Sequence, residues 1–261
     1  MQSGMNSNTY FDIEQDYEKY QKEDHHVWQL LFDEQRDILS ERATSKFLEG
    51  IDTVKFTNAL IPDFKTINES LQNKTGWVVY AVPGLIDNKP FFELLAQKKF
   101  PATTWLRTLA QLKYIEQPDM FHDVFGHVPL LSEPFFAEFL NGISRIALQH
   151  IDNPNAIELM ARIYWYTIEF GLIKEAGRIK IYGAGILSSP GESIYCLKDD
   201  VTRIPYDVMT VFKTPYIKDT FQPQYFVIES YEQLYRSLNE IESSLHILLE
   251  QYPTITEGQA L

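Results

Sequence analysis

The 261 residues hold a single cysteine, Cys196, so no intrachain disulfide can form, and one lone thiol fits a reducing compartment. Basic residues are in deficit, with 23 Lys and Arg against 36 Asp and Glu and a net charge of -13. That balance repels phosphate backbones and anionic lipid, and the densest basic cluster, Gln97–Phe100 (QKKF), is too short to reverse it. Nucleic acid is therefore not an expected partner. Nowhere does the chain run through about 18 apolar residues, and its first residues lack a basic segment followed by an apolar one. A cytoplasmic protein without membrane association is the expectation. Repeats, low-complexity tracts and Pro/Gly/Ser linkers are also missing, so nothing divides the chain. One domain over residues 11–261 is expected, behind ten small polar residues expected to be disordered.

Apolar and aromatic residues are plentiful, 44% and 14% of the chain, enough to bury a substantial core. Helical spacing of apolar positions dominates. HHVWQLLFDEQRDIL from His25 places Trp28, Leu31, Phe32 and Ile38 near one face; PFFELLAQKKF from Pro90 and PFFAEFLNGISRIALQHI from Pro134 each open on a proline suited to a first helical turn. NPNAIELMARIYWYTIEFGL opens on turn formers and runs helically to a stop at Gly171. From Arg178 to Tyr195, RIKIYGAGILSSPGESIY reads as short strands joined by tight turns. PQYFVIES from Pro223 reads as a strand and YEQLYRSLNEIESSLHILLEQY as a closing amphipathic helix. The expected fold is mainly α-helical with a few short β-strands, an α+β domain.

Only six histidines are present, yet His122 and His127 fall in one apolar run, PDMFHDVFGHVP. Imidazole is the commonest side-chain metal ligand and also a general acid or base. Two neutral imidazoles do not complete a metal site; the helical stretch before Gly171 offers a third donor. There Glu169 is the single acid of ARIYWYTIEFGL, where burying an unpaired carboxylate costs several kcal/mol or forces its protonation. Arg162 lies on the same face, but seven residues is about 10 Å of rise, too far for contact. Two His and one carboxylate suit the facial triad of Fe(II) oxygenases and also Zn(II) hydrolases. Zinc proteases space their His at i, i+4, about 40° apart, whereas i, i+5 is about 140° apart on an ideal helix. Both rings reach one ion only if the helix unwinds near Gly126. Asp119, three residues before His122, is expected behind that ligand as the acceptor of its other ring N–H. A satisfied core histidine is the bland alternative for each, and a non-catalytic metal-binding protein is the rival of another class. His25, His26, His150 and His246 read as structural or surface residues.

QPDMFHDVFGHVPLL, ARIYWYTIEFGL and IYGAGILSSPGE, in that order and separation, resemble three signature blocks of the pterin-dependent aromatic amino acid hydroxylases, most closely the bacterial phenylalanine 4-hydroxylases. The likeness runs from about Trp28 to Pro223. It implies a single catalytic domain of that family's fold, Fe(II) held by His122, His127 and Glu169, and a tetrahydropterin cofactor. VPGLIDNKPFF resembles the family's pterin loop, which implies Gly84, Leu85 and Ile86 at the pterin edge, Phe91 stacked on its ring and Tyr164 closing the site. By the same resemblance Arg107 holds the substrate carboxylate, for which a guanidinium fork is well matched. Pro118, Trp165, Phe170, Gly185 and Ser188 then shape the substrate pocket.

Three features depart from the family pattern. Asp123, near the pterin, is one methylene shorter than the Glu often found there. Lys218 stands where aliphatic residues are expected, at a position that helps separate phenylalanine from tyrosine use. No N-terminal regulatory module or long C-terminal coiled coil is evident, so a monomer or dimer is expected. The activity implied is hydroxylation of L-phenylalanine to L-tyrosine with O2, tetrahydropterin and non-haem Fe(II), the alternative being the same chemistry on tryptophan or tyrosine. Phenylalanine catabolism is the expected setting.

Overall fold

A computed structural model of the chain describes residues 11–113, 115–256 and 258–261; the disorder expected of residues 1–10 falls outside them. Helix α1 (Lys22–Leu39) starts at a reciprocal cap in which the Gln21 N–H donates to Asp24 Oδ2 at 2.7 Å. Its buried stripe is Val27, Trp28, Leu31, Phe32, Gln35 and Leu39; the expected Ile38 is only half-buried. After α2 (Ser45–Thr53) and α3 (Phe64–Lys74) comes a parallel β-α-β unit of β1 (Val78–Val82), α4 (Asn88–Ala96) and β2 (Lys99–Thr103). The helix expected from Pro90 to Phe100 therefore stops at Ala96. Lys98 takes a φ of 59°, outside helix geometry, and Lys99 enters the strand opposite Val78.

The histidine run forms a π-helix, Phe121–His127, continued by a 3-10 turn, Val128–Ser132. Helices α5 (Pro134–Gln149) and α6 (Pro154–Tyr164) carry proline at the first turn and side-chain caps from Glu133 and Asn153. A second π-helical turn, Trp165–Glu169, extends α6 and ends just before Gly171. Strands β3 (Leu172–Glu175) and β4 (Arg178–Ile181) form a hairpin whose two turn residues, Ala176 and Gly177, both have positive φ, the conformation that matches strand twist.

Beyond β4 the expected strands are not found. Ala184–Leu187 (α7) and Pro190–Tyr195 (α8) are helical, because Ser189 caps the Glu192 N–H, Pro190 fills the first turn and the Ser188 hydroxyl donates back to the Ala184 carbonyl. Strand β5 (Thr202–Pro205), helix α9 (Val208–Lys213) and strand β6 (Gln224–Ile228) complete a four-stranded sheet of order β4-β3-β6-β5. The closing helix is two, α10 (Tyr231–Arg236) and α11 (Leu238–Gln251). The break is at Ser237, whose hydroxyl donates to the Leu234 carbonyl at 2.7 Å and meets Tyr206 Oη at 3.0 Å. As expected, the chain is mainly helical with short strands.

Packing under the first π-helix positions the site. Phe121 and Phe125 stack at 4.6 Å, and Trp28, Phe32 and Phe47 meet them edge-on. Fully buried rings of this size hold one side of the turn in the core. The side that remains carries the two histidines.

Candidate functional site

His122 and His127 are five residues apart, and a π-helix repeats its hydrogen bonding at i, i+5. The two imidazoles accordingly lie on one side with ring centroids 5.1 Å apart. The unwinding near Gly126 expected from ideal α-helix spacing is not found; the helix widens into a π-turn. Gly126 serves close packing instead: a Cβ there would sit 3.0 Å from the Ala184 carbonyl oxygen of α7. Glu169 closes the other π-turn and points at the same place. Its Oε1 lies 3.2 Å from His127 Nε2 and its Oε2 3.7 Å from His122 Nε2. One donor atom from each of the three residues lies within 4.8 Å of the others. Burial raises the Glu169 carboxyl, but His127, His122 and the Gly185 N–H outweigh it and hold it below the ordinary range.

The partners of these groups differ from the expectation in one respect. Asp119 does not receive the His122 ring. It is fully buried and grips Arg107, with Nε to Oδ2 and a terminal nitrogen to Oδ1, both at 2.8 Å, and it also accepts the backbone N–H groups of Arg107 and His122. With the guanidinium fork and two backbone N–H groups on its oxygens, all of its roughly four acceptor sites are taken and none is left for an imidazole. Burial raises the Asp119 carboxyl, and Arg107 more than reverses this, leaving it below its ordinary value. The His122 ring instead meets Ser188 Oγ through Nδ1 at 2.9 Å. Ser188 spends its one proton on the Ala184 carbonyl at 2.8 Å, so it must accept from His122 Nδ1–H. The tautomer is thereby fixed, with a bare Nε2 lone pair facing Glu169 and His127. His127 Nδ1 has no hydrogen-bond partner among the described residues, and its ring lies on Phe100 at 4.8 Å.

Two cavities meet at Pro118. The larger, about 650 Å³, is walled by Arg107, Pro118, His122, Phe170, Gly185 and Ser188, with Lys218 and Phe221 at its rim. Trp165 is not in that wall; it stacks behind Phe170 at 4.7 Å, held there by an indole hydrogen bond to Gln222. The smaller, about 230 Å³, is walled by Gly84, Leu85, Ile86, Phe91, Pro118 and Asp123. It is framed by the loop between β1 and α4 and by β2, so the β-α-β unit builds it. Tyr164 stands outside this wall, edge-on to Phe91 at 5.6 Å, and burial pushes its hydroxyl well above the usual range. Asp123 accepts the Thr103 N–H at 2.8 Å, and burial raises its carboxyl.

Three residues escaped the sequence reading. Thr103 orients Asp123 from β2, and Glu192 and Gln222 form a buried pair behind Trp165. No local spacing marks any of them, since each acts across 20 residues or more of chain.

Residues 12–256 match the family model described as biopterin-dependent aromatic amino acid hydroxylase. The chain belongs to that family. Over 252 residues it is 42% identical to the phenylalanine-4-hydroxylase of Ralstonia nicotianae, an alignment covering 96% of this chain and 80% of the relative. Two solved structures of the Chromobacterium violaceum phenylalanine hydroxylase superpose with it, each covering 95% of this chain and 88% of the other. One, bound to iron(III) and the oxidised cofactor 7,8-dihydrobiopterin, is 42% identical at a TM-score of 0.87; the other, bound to iron and phenylalanine, is 41% identical at 0.86. The hydroxylase fold is thus shared over nearly the whole chain.

Proposed function

We propose that this chain is a phenylalanine 4-monooxygenase, converting L-phenylalanine to L-tyrosine with O2, a tetrahydropterin and non-haem Fe(II). The observation that carries the reading is the convergence of His122 Nε2, His127 and the Glu169 carboxylate where a cavity containing Arg107 borders one rimmed by Phe91. The donor set fits a divalent iron: two imidazoles, one with its lone pair turned inward by Ser188, and a carboxylate that burial makes costly without a cation. Iron and a reduced pterin, when bound, supply two-electron activation of O2, with one oxygen atom ending on the substrate ring.

The chain's own residues bind and orient. Asp119 fixes the plane of the Arg107 guanidinium, and Arg107 takes the amino acid carboxylate, setting the reach of the aromatic ring toward His122 and Glu169. Phe170 and Pro118, backed by Trp165, form apolar walls that keep water away. In the smaller cavity, Phe91 offers a ring face to the pterin, Gly84, Leu85 and Ile86 line its edge, and Asp123 offers a carboxylate. Among the described residues no helix is long and apolar enough to cross a membrane. We place the enzyme in the cytoplasm, as a monomer or dimer.

The test is direct. Purified protein is supplied with Fe(II), a reduced pterin and, in turn, phenylalanine, tyrosine and tryptophan, while oxygen uptake and products are followed. Tyrosine formed from phenylalanine at one per pterin oxidised is expected. Faster turnover of tryptophan or tyrosine reassigns the substrate, and no pterin oxidation with any of them removes the reading.

A further inference from the structure

Gln222 lies in none of the signature blocks and lines neither cavity, yet it is 1% exposed and both ends of its side-chain amide are hydrogen-bonded. Its Oε1 accepts from the Trp165 indole N–H at 3.0 Å. Its Nε2 donates to the Ile217 carbonyl at 2.7 Å. Its backbone N–H donates to Glu192 Oε1 at 3.1 Å, the same oxygen that takes the Tyr225 hydroxyl. Indole nitrogen is only a donor and a carbonyl oxygen only an acceptor, so the amide can take one orientation and no other. Its side chain therefore ties the π-turn that carries Glu169 to the segment 214–221, and its backbone N–H ties both to helix α8.

The larger cavity is lined in part by α8, by the segment 214–221 and by Phe170, the residue that directly follows the π-turn. Trp165 stacks between Phe170 at 4.7 Å and Tyr216 at 4.7 Å, and Phe170 is cavity wall. Lys218 and Phe221, both exposed and at the cavity rim, belong to the segment whose carbonyl Gln222 holds. Phe221 in turn covers Gly191 of α8, where an added Cβ would lie 2.9 Å from its ring. A stack of rings has no directional bond of its own to stop sliding; the indole hydrogen bond supplies one.

We infer that Gln222 is a positioning residue for the amino acid substrate: by clamping Trp165 and the 214–221 segment together, it fixes Phe170 and so the place of the substrate ring. This rests on the phenylalanine reading given above. A loosened wall leaves the cofactor cavity intact but lets the ring miss the site of oxygen transfer.

The experiment compares iron-loaded wild type with Gln222→Met, which keeps the length and loses both side-chain hydrogen bonds, and Trp165→Phe, which keeps a smaller ring in the stack and loses the donor. Phenylalanine binding is measured by calorimetry, alongside the apparent pterin constant, tyrosine formed per pterin oxidised and the indole N–H resonance of Trp165. Both variants are expected to bind phenylalanine about tenfold more weakly and to form less tyrosine per pterin, with pterin constant and iron content unchanged. The double variant is expected to lose less than the product of the two single effects, as for two residues that share one contact. The Trp165 indole resonance should exchange faster in Gln222→Met. If phenylalanine affinity and coupling stay at wild-type values in a folded Gln222→Met protein, or if pterin and phenylalanine constants change equally in Trp165→Phe, the positioning role is wrong. Wild type that binds no phenylalanine would overturn the functional reading itself, and this inference with it.

Discussion

Replacing Asp119 by Asn tests how Arg107, the proposed carboxylate anchor, is held. The Asp119 carboxylate takes four hydrogen bonds: Arg107 Nε at 2.8 Å and backbone N at 3.0 Å on Oδ2, a terminal Arg107 nitrogen at 2.8 Å and His122 N at 3.2 Å on Oδ1. The pair is dry, with side chains 8% and 0% exposed. An Asn oxygen can serve the first two donors, but its NH2 then faces two donors that lose their acceptor, at about 1–3 kcal/mol each. The guanidinium also loses its counter-charge, and breaking a buried pair from one side costs about 3–5 kcal/mol. The two costs overlap, so about 3–5 kcal/mol is the expected loss, large against a total of about 5–15 kcal/mol. In urea unfolding of the metal-free protein, with a slope of about 3 kcal/mol/M, the midpoint should fall by about 1–2 M. The pH dependence gives an independent check. A carboxyl held below its unfolded value of about 3.9 stabilises the fold above that pH and ceases to do so as pH falls through the folded value, so the wild-type advantage should shrink below about pH 4. A midpoint shift under about 0.3 M, less than about 1 kcal/mol on the same slope, would refute the reasoning.

Three further outcomes follow from the site. Arg107→Lys keeps the charge and loses the fork; it should raise the apparent phenylalanine constant at least about tenfold, roughly 1.4 kcal/mol, and lower tyrosine per pterin oxidised, whereas unchanged saturation places the carboxylate anchor elsewhere. Phe91→Ala should raise the pterin constant far more than the phenylalanine constant, since a lost ring contact is worth about 0.5–1.5 kcal/mol beyond area; equal effects on both make the loop mere scaffold. Ser188→Ala removes the acceptor that fixes the His122 tautomer and should weaken iron binding by about 10–100-fold, read by competition with a chelator; native affinity would show that Ser188 does not set the ligand's orientation.

Much of the site was legible because its residues are chemically expensive where they stand. Two imidazoles in an apolar run and one acid in an aromatic helix are costly unless something compensates them, and the three do converge. The i, i+5 spacing itself encoded a π-turn, although unwinding at Gly126 was the reading drawn from ideal α-helix angles. Asp119 was misassigned because sequence separation favours a neighbour three residues away, while the winning partner, Arg107, offers two bonds at once from 12 residues away. The same blindness to distant partners hid Arg162, which was seen only as too far from Glu169; it is fully buried, paired with Glu158 and bonded to the Phe212 and Gln259 carbonyls. Strand propensity misled in Ala184–Tyr195, where serine caps and Pro190 decide for helix. Strands β1 and β2 drew no attention because both are nearly continuous apolar or mixed runs without alternation, as parallel strands commonly are.

Iron binding by the three proposed ligands tests the account most directly. Native protein, reconstituted with Fe(II) and dialysed, should retain one iron per chain and form tyrosine from phenylalanine. His122→Ala, His127→Ala and Glu169→Ala should each fold, as judged by circular dichroism and urea midpoint, and lose both tight iron and hydroxylation, because a three-ligand site has no spare member. Stoichiometric iron at native affinity with full activity in any one of them would contradict that residue's place in the site, and native protein that prefers zinc and hydrolyses amides or esters would contradict the oxygenase assignment as a whole.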